Sequence, residues 1–274
     1  MTYEQAVAVL ADRGYDVRLG GVEDLDEARL DALCGELARH GVDVQDYFAD
    51  IDEYSRYVER AAYLSRHRGY YGATLPEKTF EHFLGYAHLA LTPQEVFVDI
   101  ASEQSPTPEI YGRLSGATCY AQDIQYPPGL SGNRIGGDAC ALPVPDQFAT
   151  AATLTCSLEH FEGDADTRLF AEIARILKPG GKLIVAPLYM SPIDAVQTDP
   201  LYSAASDVRF DNAAVVYCAE GWRNRHGRFY SPDSLLRRVI APHGGLAFTI
   251  FRLRNRADLP AGIYLRLFMT CVKR

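Results

Sequence analysis

The sequence predicts an α/β protein: a doubly wound, mostly parallel sheet that ends in an antiparallel hairpin and follows an N-terminal helical cap. Three observations predict it. From Val96 to Ala186, short apolar runs alternate with amphipathic helical stretches, which requires crossover connections and a sheet covered on both faces. Two apolar strands, "LAFTIFRL" and "GIYLRLFMTCVKR", close the chain with only "RNRADLPA" between them, so they can pair as a hairpin. Residues 1–92, by contrast, carry helical spacing throughout.

In the cap, "YEQAVAVLADRGYD" puts Ala6, Val7, Val9 and Leu10 on one side and stops at Gly14. Leu25, Leu30, Leu33 and Leu37 mark a second helix that ends at Gly41, and a third covers roughly 50–68. The fourth, "PEKTFEHFLGYAHLAL", starts with Pro76 in its first turn. Val96–Ile100 is then a strand, 108–114 a short helix, and "ATCYAQD" a second strand ending in an acid. "FATAATLTCS" reads as a buried parallel strand. The helix after it turns Leu169, Phe170, Ile173, Ile176 and Leu177 inward and ends at Pro179-Gly180-Gly181, before the strand "KLIVAPLY". An irregular stretch over 190–228 precedes a helix with Ser231 as N-cap and Pro232 at its first position. The expected boundaries are a cap at 1–92 and an α/β domain at 93–274, with an insertion at 189–229.

With 274 residues, 47% of them hydrophobic, the chain can fill a sizeable core. A formal net charge of -9 argues against a nucleic-acid partner. "MTYEQAVAVLADRGYD" lacks the basic start and apolar core of a signal peptide, and no apolar run is long enough to cross a bilayer. Six scattered cysteines without a C-x-x-C pair read as buried thiols, not as disulfides or a metal site. A cytoplasmic protein with no metal and no membrane partner is expected.

The stretch "EVFVDIASEQSPTPEIYGRL" has the strand–loop–helix layout on which a cofactor rests, but Ala101, Ser102, Glu103, Gln104 and Ser105 stand where glycines are usual. Ala101 and Ser102 are the smallest of these and fall at the tightest point. Valine at 101 is expected to block a ligand with little loss of stability, and glycine there to be neutral.

The segment "GDACALPVPDQFATAATLTCSLEHFEGDADTRLFAEIARILKPGGKLIVAPL" resembles the third and fourth motifs of the class I S-adenosylmethionine-dependent methyltransferases of the type 11-like kind. The resemblance covers about Val96–Arg274. It implies a Rossmann-like, seven-stranded sheet, S-adenosyl-L-methionine as methyl donor, S-adenosyl-L-homocysteine as product, and a small-molecule acceptor methylated on oxygen or nitrogen. The first motif departs from the family in its missing glycines. The donor has no pyrophosphate to seat, which softens that requirement.

By this resemblance Asp99 would orient the first loop and contact the methionyl amine, with Ala101 and Ser102 passing beneath it. Asp123, at the end of the second strand, has the position and charge to accept ribose hydroxyls. Asp138 would take the adenine amino group, with Ala139 adding a backbone contact. Cys156 would line the edge where donor and acceptor meet. His160 is a candidate general base; the alternative is that it packs under the following helix. Tyr70 and Tyr71 in one stretch, and Trp222, Arg225 and His226 in another, would form an aromatic, cationic pocket for a planar or acidic molecule if the two stretches meet; ordinary surface packing is the alternative. The resemblance leaves monomer and homodimer both open. A competing reading is a methyltransferase-like protein that has lost the donor and serves as a binding partner. A dinucleotide oxidoreductase is disfavoured by the missing glycine fingerprint.

Overall fold

A computed structural model describes all 274 residues, Met1–Arg274. The chain divides into two compact units. One contains Met1–Val42, Ser157–Arg168 and Tyr189–His243, and the other Asp43–Cys156, Leu169–Leu188 and Gly244–Arg274.

In chain order the strands are β1 (Asp16–Leu19), β2 (Asp43–Tyr47), β3 (Val96–Ile100), β4 (Thr118–Asp123), β5 (Gly129–Ser131), β6 (Arg134–Gly136) and β7 (Ala149–Thr155). They continue with β8 (Leu177–Ala186), β9 (Ala195–Thr198), β10 (Val215–Cys218), β11 (Gly227–Phe229), β12 (Leu246–Leu253) and β13 (Leu267–Lys273). The helices used below are α1 (Tyr3–Asp12), α2 (Glu27–Arg39), α3 (Ile51–Ala61), α4 (Tyr63–Arg66), α5 (Leu75–Leu89), α6 (Thr107–Ser115) and α7 (Ala165–Ile176).

The first unit is built on a four-stranded sheet in the order β1-β10-β9-β11, parallel except for β11. Its core joins Ala6 and Leu10 of α1 to Val196, Val216, Phe210 and Cys218. A capping box starts α1: the Thr2 hydroxyl accepts from Gln5 N–H, and the Gln5 amide returns to Thr2 N–H. The stretch read as irregular therefore carries three strands, and residues 1–92 are not helical throughout. β1 and β2 are short, mostly polar and largely exposed, so no apolar alternation betrays them. Ser231 caps its helix as expected, in a capping box with Ser234, but Leu236–Ile240 widen into a π turn.

The second unit holds a nine-stranded sheet in the order β2-β12-β13-β8-β7-β3-β4-β6-β5. β3, β4, β6, β7 and β8 run parallel, and β13 lies antiparallel between β8 and β12, which is the expected terminal hairpin. The six strands read from the sequence form one sheet with β6, which gives the seven that the resemblance implies, and β2 and β5 extend it at its two edges. Chain order reverses between β3 and β7, since β4 and β6 lie on one side of β3 and β8 on the far side of β7. That switch point is where open α/β sheets hold ligands, beyond the carboxyl ends of the strands.

Phe97, Val98 and Ile100 of β3, and Ala152 and Leu154 of β7, are buried, as a sheet covered on both faces requires. Leu169, Phe170, Ile173 and Ile176 of α7 are wholly buried, as their spacing indicates. α5 is buried around most of its circumference, from Glu77 through Gly85. A Cβ at Gly85 would lie 2.4 Å from the Tyr111 hydroxyl, so only glycine lets α5 pack this closely.

Candidate functional site

The first loop leaves β3 at Ile100. Ala101 and Glu103 have φ of 51° and 48°, left-handed values that glycine adopts freely and other residues at a cost. Two residues thus hold the backbone path of a glycine-rich turn without being glycine. Asp99, just before the loop, has no exposed surface. Its oxygens accept from Thr153 Oγ1 at 2.7 Å and Ser102 Oγ at 3.0 Å. Burial pushes its carboxyl up to about 6, against these hydrogen bonds. Asp99 holds the loop; its burial leaves no oxygen surface for a direct ligand contact.

Gln122, which the sequence reading passed over, ties three segments together. Its side-chain oxygen accepts from Ala101 N–H at 3.1 Å, its amide donates to Gly137 O at 2.7 Å, and its own carbonyl accepts from Ser102 N–H at 2.8 Å. Asp123 follows it at the end of β4. One Asp123 oxygen accepts from Glu103 N–H at 2.7 Å, the other from Gln125 N–H at 2.9 Å, and the Tyr126 hydroxyl donates to the Glu103 carbonyl. Asp138 is exposed in a tight turn in which its Oδ1 accepts from Cys140 N–H at 2.9 Å, and Ala139 beside it is buried. A polar groove of about 530 Å³ follows the outer side of the first loop, between Ser105, Pro108, Tyr126 and Arg134.

Tyr70 and Tyr71 lie against this loop and not in a separate pocket. Burial raises both phenols, and Asp99 lies close enough to raise them further. Lys78 Nζ sits 5.6 Å from the centre of the Tyr71 ring.

Past Tyr71 lies a group of ionisable side chains that the sequence reading did not single out, apart from Cys156. Cys156 ends β7 with φ of 46° and donates from its backbone N–H to Ala186 O at 3.0 Å. Its thiol donates to Glu81 Oε1 at 3.1 Å and lies 4.0 Å from the Tyr264 hydroxyl. Lys78 Nζ is 3.1 Å from Glu81 Oε2. Glu77, one turn before Glu81 on α5, accepts backbone N–H groups of Tyr264 and Leu265 at 2.7 and 3.2 Å. Glu77 and Glu81 are both 0% exposed. Burial, opposed by Lys78 and reinforced by Glu77, pushes the Glu81 carboxyl up to about 8, and burial raises Glu77 as well. Burial alone would lower the Lys78 ammonium, but Glu81 and Cys156 raise it above its usual value. Both buried carboxyls are thus held above their ordinary range, and Glu81 beside the Lys78 ammonium gives up its proton only at about 8.

The remaining expected residues belong to the first unit. His160 donates from Nδ1 to the His226 carbonyl at 2.6 Å, and its ring centre lies 6.1 Å from that of Trp222. His226 is 2% exposed, donates to the Glu159 carbonyl at 2.9 Å and stacks on Phe210. Burial pulls His226 down to about 3, so it is a neutral packing residue and not a cationic anchor. Arg225 is taken up by a two-pronged pair with Glu162 at 2.5 and 2.8 Å. Trp222 packs on Gly227, where a Cβ would meet its ring at 2.4 Å. His160, Trp222, Arg225 and His226 thus form one packed cluster, whereas Tyr70 and Tyr71 belong to the other unit. No group of three or more His, Cys, Asp or Glu side chains is placed to hold a metal ion, and no helix is long and apolar enough to cross a membrane.

Residues 83–185 match the family model described as a methyltransferase domain. The chain is 35% identical over 96 residues to a demethylmenaquinone methyltransferase of Renibacterium salmoninarum, covering 32% of this chain and 40% of that protein. It is 30% identical over 149 residues to the demethylmenaquinone methyltransferase of Mycolicibacterium vanbaalenii, covering 49% of this chain and 63% of that protein. The chain thus spans less than two thirds of the curated relatives it matches. Among solved structures it is similar to a Burkholderia thailandensis 1,6-didemethyltoxoflavin-N1-methyltransferase with bound 1,6-didemethyltoxoflavin and S-adenosylhomocysteine. The identity is 20%, the TM-score 0.46, and the coverage 84% of this chain and 93% of that one. Over residues 83–185 the chain is thus similar to methyltransferase domains, and its large sheet has the doubly wound order with a switch point between β3 and β7.

Proposed function

We propose that this protein is an S-adenosylmethionine-dependent methyltransferase acting on a small-molecule acceptor, with its donor seated beyond the ends of β3, β4 and β7. One observation carries the reading: Ala101 and Glu103 keep left-handed backbone where the family has glycine, so the loop retains the path that lets a ligand approach closely. The residues present fit the donor. Ala101 and Ser102 would pass under its methionyl part, Asp123 would accept its ribose hydroxyls, and Asp138 and Ala139 would meet its adenine. When bound, the donor supplies an activated methyl group on a sulfonium. The chain's own part is to align the acceptor and exclude water, because displacement at carbon with a neutral leaving group depends chiefly on alignment. Asp99 and Gln122 support this by fixing the loop, and Tyr70 and Tyr71 cover it.

One observation favours a second reading, in which donor binding is lost and the domain is a binding partner. Both Asp123 oxygens already accept backbone amides, one of them from the loop itself. A carboxylate has further lone pairs for ribose hydroxyls, which keeps the first reading ahead. Calorimetry with S-adenosylhomocysteine separates the two. A saturable heat is expected, with a stability gain of ~2.7 kcal/mol at a ligand concentration of ~100 times Kd. No heat and no thermal shift at millimolar ligand would establish the second reading.

A further inference from the structure

The Lys78–Glu81–Cys156–Tyr264 group has no place in the donor site, and packing does not account for it. Charge is costly in a protein interior, yet α5 buries two carboxyls within a single turn, with the half-buried Lys78 ammonium against one of them. The group also has an opening: Cys156 and Lys78 are half-buried and Tyr264 is 42% exposed, while Glu81 beneath them is sealed. It lies just past the end of β7, next to β3, at the switch point of the sheet.

We propose, resting on the methyltransferase reading, that this cluster is the methyl-acceptor site and takes acceptors through an ionisable hydroxyl of the phenol or enol class, the oxygen pairing with Lys78 and its proton lodging on Glu81.

The charges favour this class. In the form that accepts a proton, populated as pH rises through the Glu81 ionisation, Lys78 pairs with the Glu81 carboxylate. When the acceptor O–H gives up its proton, Glu81 becomes neutral and Lys78 pairs with the new oxyanion, so the buried charge stays matched throughout. An amine acceptor would gain positive charge beside an ammonium, which the same arrangement opposes. The proton enters through the thiol. Lys78, already an ammonium, cannot accept it, whereas Cys156 Sγ can take the acceptor's proton while passing its own to Glu81 Oε1, 3.1 Å away. The acceptor oxygen then forms the new O–CH3 bond as the donor's S–CH3 bond breaks, and the bond's electron pair stays on sulfur. A neutral ether and a neutral thioether remain, and the proton returns from Glu81 through the Cys156 thiol to solvent. Cys156 and Lys78 touch the acceptor, and Glu81 acts through them as a positioning residue. The groups facing Glu81 are Glu77 and Lys78 from α5, Cys156 from β7 and Tyr264 from the segment before β13, with Tyr71 beyond Lys78.

The test uses the full chain and 4-nitrophenol, whose colour reports its ionisation. At a pH where the free phenol is fully ionised, 4-nitrophenolate should bind wild type more weakly as pH rises through the Glu81 ionisation, by about tenfold per pH unit beyond it, because the Glu81 carboxylate reclaims Lys78. Glu81→Gln should bind it with no such pH dependence, and Lys78→Met should show no preference for phenolate over phenol. Single-turnover methylation of phenol from S-adenosylmethionine should fall by about 10²-fold or more in Glu81→Gln and Cys156→Ala, with part of the Cys156→Ala loss recovered in Cys156→Ser. A wild type that binds S-adenosylhomocysteine yet neither holds 4-nitrophenolate nor methylates phenol overturns the assignment, as does a Glu81→Gln with an unchanged pH profile or an undiminished rate. If S-adenosylhomocysteine does not bind, the methyltransferase reading fails by itself. The 4-nitrophenolate titration without donor then still decides whether the cluster binds oxyanions.

Discussion

Replacing Ala101 by glycine should make the protein more stable, although glycine usually weakens structure. The reason is the φ of 51° at this position. An L-residue held in the left-handed region costs ~1–2 kcal/mol, because its Cβ crowds the following carbonyl. Glycine removes that cost but gives back ~0.5–1 kcal/mol through the greater freedom of its unfolded chain. The net expectation is a gain of ~0.5–1 kcal/mol, or a melting temperature higher by ~1–4 °C for a chain of this size. This corrects the view from sequence that glycine here would be neutral. It also corrects the view that valine would leave stability intact, since a β-branched residue in this region is a genuine outlier; Ala101→Val should lose ~1–3 kcal/mol.

Scanning calorimetry without ligand measures both substitutions, with Ala121→Gly on β4 as a control for the ordinary glycine penalty. Ala101→Gly should rise where Ala121→Gly falls, and S-adenosylhomocysteine affinity should hold or improve in Ala101→Gly. An Ala101→Gly protein that melts below wild type would show that the loop does not take the left-handed path, and the argument that it preserves a glycine trace would go with it.

Three further outcomes follow from the same geometry. Asp123→Ala strips two backbone N–H groups of their acceptor and should cost ~1–3 kcal/mol in urea unfolding, besides weakening S-adenosylhomocysteine in calorimetry; equal stability and equal affinity would remove Asp123 from the site. Gly136→Ala would place a Cβ 1.9 Å from the Pro127 carbonyl and should lose about 3 kcal/mol or yield little folded protein, read by melting temperature and soluble yield. Glu81 binds its proton more tightly folded than unfolded, so its contribution is fully present below its ordinary 4.5 and is lost as pH rises through about 8. That window is worth at most ~5 kcal/mol, at ~1.4 kcal/mol per pH unit, and urea midpoints at pH 5 and pH 9 should converge in Glu81→Gln relative to wild type.

What the sequence disclosed follows from where burial is regular. β3, β7 and α7 are buried on whole faces, so their apolar spacing is continuous and their limits could be read closely. β1 and β2 carry "DVRL" and "DVQDY", short and largely exposed, and no periodicity exists there to read. The four-stranded sheet was hidden for another reason: it joins residues 16–19 to residues 195–229, and such pairing leaves no local trace. Asp99 and Asp123 could be placed at strand ends from the sequence, whereas Gln122, which ties the first loop to Gly137, carries an amide that looks like any surface residue. Lys78 and Glu81 were missed because charges three residues apart on a helix ordinarily mark a solvated face. A signal was nevertheless present. "PEKTFEHFLGYAHLAL" sets its charges among Phe80, His82, Phe83 and Leu84 with no polar side left over, and a helix apolar all round is a buried one. Charges within such a helix must be paired with each other or committed to a ligand. Here Glu77 is committed to the backbone N–H groups of Tyr264 and Leu265, while Glu81 faces both Lys78 and the Cys156 thiol, and that added thiol is why the cluster reads as a proton-handling site and not as an ordinary ion pair.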